Sequence, residues 1–277
     1  GFTSDGAIND RIINFYVERA KGGVGLIVVG GCYPEMNGKV WKSIIGLDND
    51  AFIPGLKRLT DAVHACDARV AAQILHGGRS DSSFFTKMQP VAPSALVHRS
   101  IKQEPHALTV SEIKTVIDNY VSATLRAKKS GFDAVELHGG MGYLINQFLS
   151  KATNKRDDDY GGSMENRTRF ARELVVAVKE TVGKDYPIIF RLSGDDFVED
   201  GLKIGDSVEI AKILEQAGVD AFNVSPGWHE SRTPVMLMVI PRMAYTFLAE
   251  KIKSRVNVPV IASVRINDLK LAEEILN

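Results

Sequence analysis

The 277-residue chain is 44% hydrophobic and 25% charged, which is enough apolar material for a large core and excludes a disordered segment. Its 34 basic and 34 acidic residues cancel, so charge gives no reason to expect nucleic acid or an anionic membrane as partner. Two cysteines, Cys32 and Cys66, make no disulfide framework or zinc spacing, and no secretory signal or membrane-length apolar run occurs, so the expected compartment is the cytoplasm.

The chain opens on a turn-like Gly1-Phe2-Thr3-Ser4-Asp5-Gly6. It stops at Asn277, inside an apparent helix that follows an Asn267 cap, and so reads as an internal fragment of a longer chain. Residues 7–21 have helical spacing (Ile8, Ile12, Phe15), and Gly22-Gly23 ends them. The continuous apolar run 25–30 predicts a strand buried on both faces. Phe52, Leu56, Leu59 and Val63 mark a helix, and Arg69 to Leu75 the next strand. Residues 77–108 form a long irregular loop containing Pro90, Pro93 and Pro105, and a loop of that length in a compact domain is often functional.

Thr109-Val110-Ser111-Glu112 has the pattern of a capping box, and the helix behind it is stopped by Gly131. The strand from Asp133 to Leu137 ends on His138, crosses a glycine-rich turn and enters a helical pattern at Tyr143. A helix over 163–182 leads to the strand Pro187–Ser193, a helix near 206–217 to the strand Val219–Ser225, and a helix near 242–255 to the strand Val258–Val264. Alternating buried strands and helices predict a parallel α/β sheet. The dinucleotide fingerprint of the doubly wound alternative is absent, since Gly139-Gly140-Met141-Gly142 has the wrong spacing. The expectation is therefore a (β/α)8 TIM barrel in one domain over 1–277, with its first and last strands missing from this chain.

Several residues break the apolar rule. Gln73 interrupts a strand, either as a hydrogen-bonded interior residue or as a ligand contact. Arg191 lies within Ile-Ile-Phe-Arg-Leu, where a guanidinium needs an anion. That anion is either a buried carboxylate such as Glu136 or an anionic ligand. His138 ends one strand and His229 follows the end of another, the positions at which parallel α/β folds carry sites. Tyr143 is either a core aromatic or a phenol able to donate a proton at neutral pH. Asp195, Asp196, Glu199 and Asp200 make either a solvated acidic turn or a metal site for a barrel lyase. Cys32 reads as small packing.

The chain resembles the flavin-dependent old yellow enzyme family along nearly its whole length. The blocks that carry the likeness are Tyr16 to Ile27, Gln73-Ile74-Leu75-His76-Gly77-Gly78-Arg79, Gly131 to Gly139, Tyr160 to Arg167, Arg191-Leu192-Ser193, Gly227-Trp228-His229-Glu230 and Arg265-Ile266-Asn267-Asp268. The branch it is most similar to contains 2,4-dienoyl-CoA reductase, enoate reductases and bile-acid flavoenzymes.

The resemblance implies FMN in a TIM barrel, with Gly31, Gln73, Arg191 and Arg265 as cofactor contacts. It implies Tyr143 as proton donor, His229 as its helper, His138 at the substrate carbonyl, and Glu230, Ser231 and Arg232 near substrate. Met141 stands at the second carbonyl-binding position of the wider family, and Ala152 where the dienoyl-CoA reductase pattern has an arginine. The implied reaction is ene reduction with NADH or NADPH, or its reverse, on an enoate, an enoyl or dienoyl thioester or an enone. In that branch an iron–sulfur cluster and an FAD-binding region often follow, and a homo-oligomer is compatible with it. The readings set against it are a metal-dependent barrel lyase and a non-catalytic fragment.

Overall fold

The computed structural model describes Thr3 and residues 5–81, 83–235 and 237–276. Gly1, Phe2 and Ser4 of the expected opening turn, and the terminal Asn277, lie outside the described residues.

Helix α1, Asp10–Lys21, begins later than periodicity alone suggests because the Asn9 side chain accepts from the Ile12 N–H at 3.0 Å and caps it. Strand β1, Leu26–Tyr33, runs beyond the apolar stretch. It passes through Gly30-Gly31, where the ladder slips between Val29 and Cys32 and Gly31 takes φ +68°, open to glycine at little cost. Strand β2, Ile45–Gly46, is too short to register as a periodicity and pairs with the end of β1. Helix α2 (Ile53–His64) and strand β3 (Arg69–Ile74) follow as predicted.

The long loop 77–108 is more ordered than its proline content suggests. It holds a short helix α3 (Ser83–Thr86) and a two-residue parallel ladder between β4 (Val91–Ala92) and β5 (His106–Ala107). Helix α4, Val110–Lys129, has the predicted capping box, with Thr109 and Glu112 each taking the other's backbone N–H. Then come β6 (Ala134–Gly139), α5 (Leu144–Leu149), α6 (Met164–Val182), β7 (Ile188–Asp195), α7 (Ile204–Ala217), β8 (Ala221–Pro226), α8 (Thr246–Lys253), β9 (Val260–Ala262) and α9 (Leu269–Leu276). Helix α8 is shorter than the predicted 242–255.

The main sheet is parallel in the order β2-β1-β3-β6-β7-β8-β9. Beyond the edge strand β2, each strand lies beside the next one in sequence. A doubly wound sheet reverses direction at a switch point, and this one does not, which is the arrangement of a (β/α) barrel. The barrel is not closed: among the described residues no pairing joins β9 back to β1 or β2.

Side chains alternate along each strand, so the concave face is built in layers. Val28, Ala71, Ala134, Ile189, Ala221 and Ile261 form a small apolar layer. Two residues further along the strands stand Gly30, Gln73, Glu136, Arg191 and Asn223, so a polar layer sits on an apolar floor. The opposite faces of the strands pack on the helices as the main core, where Leu56, Leu59, Phe170, Phe190 and Phe222 are fully buried.

Candidate active site

The polar layer opens into a cavity of about 770 Å³, lined by Gly31, Gln73, His138, Tyr143, Arg191 and His229 together with Trp41, Ile44 and Met141. Six residues expected from widely separated segments thus meet around one space. Its volume is that of a typical small-molecule or cofactor site, roughly 300–1,000 Å³.

The glycine-rich turn after β6 makes this convergence possible. A Cβ on Gly139 would lie 2.3 Å from the Phe190 ring, so only glycine fits there. At Gly142, φ is +81° and the backbone lies against the Trp228 indole. The Gly142 N–H donates to Asn146 Oδ1 at 2.8 Å, which fixes the turn ahead of Tyr143. Tyr143 is the N-cap residue of α5, outside the helix proper, and its ring reaches into the cavity.

The Tyr143 hydroxyl lies 2.9 Å from His229 Nε2. The Tyr143 and His138 rings meet edge to face with centroids 4.9 Å apart. His138 Nδ1 accepts the Gly140 N–H at 3.3 Å, so in the neutral tautomer its proton is on Nε2.

Arg191 organises the electrostatics. The carboxylate available to it, Glu136, is fully buried, but its two oxygens accept from Gln73 Nε2 at 2.6 Å and Asn223 Nδ2 at 2.7 Å. The alternative of an Arg191–Glu136 ion pair is therefore not realised. Among the described residues Arg191 has no ion-pair partner: Nη2 approaches Met141 Sδ at 3.7 Å, and the buried Nε has no hydrogen-bond partner. Burial, and then the Arg191 charge, hold His138 well below the ordinary imidazole range. His229 sits at the rim, and partial desolvation followed by Arg191 lowers it as well. Burial raises Tyr143, with Arg191 opposing. At neutral pH the site therefore holds a protonated phenol, two neutral imidazoles and a cation that lacks an anion.

Gln73 Oε1 accepts the Gly31 N–H at 3.3 Å and Nε2 donates to Glu136, so among the described residues the second amide N–H has no partner. Arg265 is not among the residues that line this cavity. It follows β9 at φ +62° and donates to the carbonyls of Ile240 at 3.0 Å and Met238 at 3.3 Å, tying that loop to the sheet. Glu230 and Arg232 line a second cavity, and the Ser231 hydroxyl donates to the Phe197 carbonyl at 3.0 Å.

The acidic turn is engaged in loop caps. Asp195 accepts from Phe197 N at 2.8 Å and Lys203 Nζ at 3.3 Å, and Asp196 from Leu202 N at 2.7 Å. Among the described residues no three His, Cys, Asp or Glu side chains converge to hold an ion. Burial pushes the Cys32 thiol up to about 12, as befits a packing residue.

Two contributors were not anticipated. Asn223 gave a signal, a polar residue in the buried run Ala-Phe-Asn-Val-Ser at the same strand level as Arg191. Trp41 gave none, because it belongs to an irregular segment whose position depends on how β2 pairs.

The sequence profile of the NADH:flavin oxidoreductase / NADH oxidase family matches residues 2–277. The chain belongs to that family. A metal reductase of Desulforamulus reducens is 45% identical over 276 residues, covering 100% of this chain and 41% of its own length. An NADPH dehydrogenase of Clostridium acetobutylicum is 39% identical over 279 residues, 100% of this chain and 80% of its own. Among solved structures, 2-naphthoyl-CoA reductase in complex with 2-naphthoyl-CoA has a TM-score of 0.94 at 34% identity over 98% of this chain and 43% of that one. An old yellow enzyme homologue from Zymomonas mobilis has a TM-score of 0.83 at 27% identity, over 99% of this chain and 78% of that one.

The chain spans 41% and 42% of two longer relatives, the metal reductase and an NADH oxidase of Thermoanaerobacter brockii. Membership of this flavin oxidoreductase family implies FMN and a nicotinamide reductant. The cavity fits FMN: it offers an unpaired guanidinium with a buried, partnerless Nε to an anionic ring edge, an amide N–H from Gln73, and a side-chain-free wall at Gly30-Gly31 for a flat ring.

Proposed function

We propose that residues 1–277 act as one FMN-binding catalytic unit of an NAD(P)H-dependent oxidoreductase that reduces, or in reverse forms, a C=C bond conjugated to a carbonyl. The observation that carries this reading is the Tyr143–His229 pair at 2.9 Å, beside an unpaired Arg191 in a cofactor-sized cavity.

Gly31, Gln73 and Arg191 would hold FMN, and Arg191 would be the counter-charge to its reduced, anionic form. When bound, FMN supplies hydride transfer to and from carbon, with NADH or NADPH as reductant. The protein's own groups handle the proton and the carbonyl. With the His229 Nε2–H donating to the phenol oxygen, the Tyr143 O–H is free to point into the cavity and protonate the substrate α-carbon. The same hydrogen bond then stabilises the phenolate left behind. His138 Nε2–H is the donor for the carbonyl oxygen as enolate character develops. Met141 has no N–H or O–H to add, so the grip on the carbonyl is one-sided. The unpaired Cys32 and Cys66 agree with a reducing, cytoplasmic setting.

Tyr143→Phe removes only the transferable proton. Alkene reduction should fall by roughly 10²–10⁴-fold, the usual worth of a positioned acid. Bleaching of the flavin band by NAD(P)H should stay within about twofold. Equal losses in both half-reactions would contradict the assignment.

A further inference from the structure

Tyr143 and His229 reach the cavity from two separate loops, one after β6 and one after β8, so their 2.9 Å spacing depends on how those loops are held. Strand β7 lies between β6 and β8 in the sheet. Asp196 directly follows β7 and is fully buried.

Asp196 ties both loops down. Its backbone carbonyl accepts the Trp228 N–H at 3.2 Å, next to the Gly227 N–H that donates to the Asp195 carbonyl at 2.7 Å. Its side-chain Oδ1 accepts from Asn146 Nδ2 at 3.3 Å, and Asn146 Oδ1 accepts the Gly142 N–H at 2.8 Å. Met141 and Trp228 also form a parallel β-bridge between the two loops. Gly142 and Trp228 are the residues immediately before Tyr143 and His229. One acidic residue thus anchors each half of the pair one position from its side chain.

A loop cap accounts for the Leu202 N–H, which donates to Asp196 Oδ2 at 2.7 Å, but not for the use of the other oxygen. A carboxylate only accepts, and here both oxygens meet donors. An asparagine at this position would offer one acceptor and one donor. Its oxygen would stay on the shorter bond, to Leu202, and its NH2 would meet the Asn146 NH2. Turning the Asn146 amide over would then set that NH2 against the Gly142 N–H. Asn146 is fully buried as well, so no water-exposed alternative relieves the clash, and the fault passes to the turn that carries Tyr143. The charge itself is costly. Lys203, the cation on this turn, pairs with Asp195, and burial pushes the Asp196 carboxyl up to about 6 against the pull of its hydrogen bonds.

We propose that Asp196 is a positioning residue for the proton step: its carboxylate, relayed through Asn146, and its backbone carbonyl together set the Tyr143 hydroxyl against His229 Nε2. The catalytic consequence rests on the reading of Tyr143 as proton donor, whereas the positioning itself does not.

The test compares Asp196→Asn with the exchange Asp196→Asn/Asn146→Asp in the FMN-loaded protein. In the exchange, the carboxylate now on α5 accepts from the Gly142 N–H and from the amide at 196, whose oxygen keeps the Leu202 N–H, so every donor is met again. Asp196→Asn should lower kcat for alkene reduction by roughly 10- to 100-fold, the cost of a displacement of up to about 1 Å, with KM and flavin bleaching by NAD(P)H within about twofold. The exchange should restore kcat to within about threefold of the unmutated protein, because the two sites are coupled rather than additive. Nitrogen-15 NMR of the His229 imidazole should show a shifted Nε2 signal in Asp196→Asn and the original signal in the exchange.

An exchange variant that fails to fold, or folds and stays slow, overturns the proposal. So do equal losses in both half-reactions, or a His229 signal that Asp196→Asn does not move. Should Asp196→Asn itself not fold, the exchange decides alone by its kcat and its His229 signal. A His229 signal that moves and returns in a protein that reduces no alkene would uphold the positioning and refute the ene-reductase reading, so the two failures are distinguishable.

Discussion

Replacing Arg191 by methionine should strengthen the bare fold and weaken the cofactor complex. The guanidinium is half-buried on β7, lacks a counter-ion among the described residues, and has a buried Nε with no partner. Methionine has similar length and would pack beside Met141, whose Sδ already lies 3.7 Å from Nη2. Exchanging buried charge for well-packed apolar atoms is typically neutral to stabilising by about 1–4 kcal/mol. Partial exposure of Arg191 puts the expectation at the low end, about 1 kcal/mol, or roughly 2 °C in Tm for a chain of this size.

The FMN complex loses a charge-assisted hydrogen bond, worth about 1.5–3 kcal/mol, so FMN affinity should fall roughly 10- to 150-fold. Two measurements read the opposing signs: thermal unfolding of the apoprotein and quenching of FMN fluorescence on titration. Because Arg191 also lowers His138 and His229, both imidazoles should titrate at higher pH in the variant. An apoprotein destabilised by more than about 2 kcal/mol, or an unchanged FMN affinity, would refute the picture of a cation held for a ligand.

Two other changes test neighbouring parts. Burial raises the Asp196 carboxyl to about 6, above its ordinary 3.8, so the folded state binds this proton more tightly than the unfolded state. Its contribution to stability is fully present below pH ~4 and is lost as pH rises through ~6, on the order of 3 kcal/mol. Asp196→Asn should flatten urea-unfolding stability across that window, and an unchanged slope would count against a buried, titrating Asp196. Trp41 stands 48% exposed at the cavity, edge-on to Tyr143 with ring centroids 6.4 Å apart. Trp41→Ala should raise KM for flat, aromatic enones by roughly 2- to 12-fold while leaving small acyclic ones nearly unchanged; equal effects on both would deny it a place in the acceptor wall.

Much of this protein is written locally. Thr109 and Glu112 are three residues apart and specify the start of α4 from their own hydrogen bonds. The apolar runs at β3, β6, β7 and β8 needed only their own composition to read as buried strands. Arg191 betrayed a site because a charge in such a run has no local means of being satisfied. What the charge faces was decided elsewhere. Strand stagger brings Gln73, Glu136 and Asn223 to one level, where two amides satisfy the carboxylate and leave the guanidinium unpaired. The Tyr143–His229 contact joins residues 86 apart, and the Arg79–Glu230 pair joins residues 151 apart. β2 exists because Ile45 and Gly46 meet the end of β1, and the 77–108 loop is ordered because β4 finds β5. Capping and periodicity act within a turn or two of chain, so sequence alone determines them. Register and long-range polar pairing depend on which strands lie side by side, and only the folded barrel decides that.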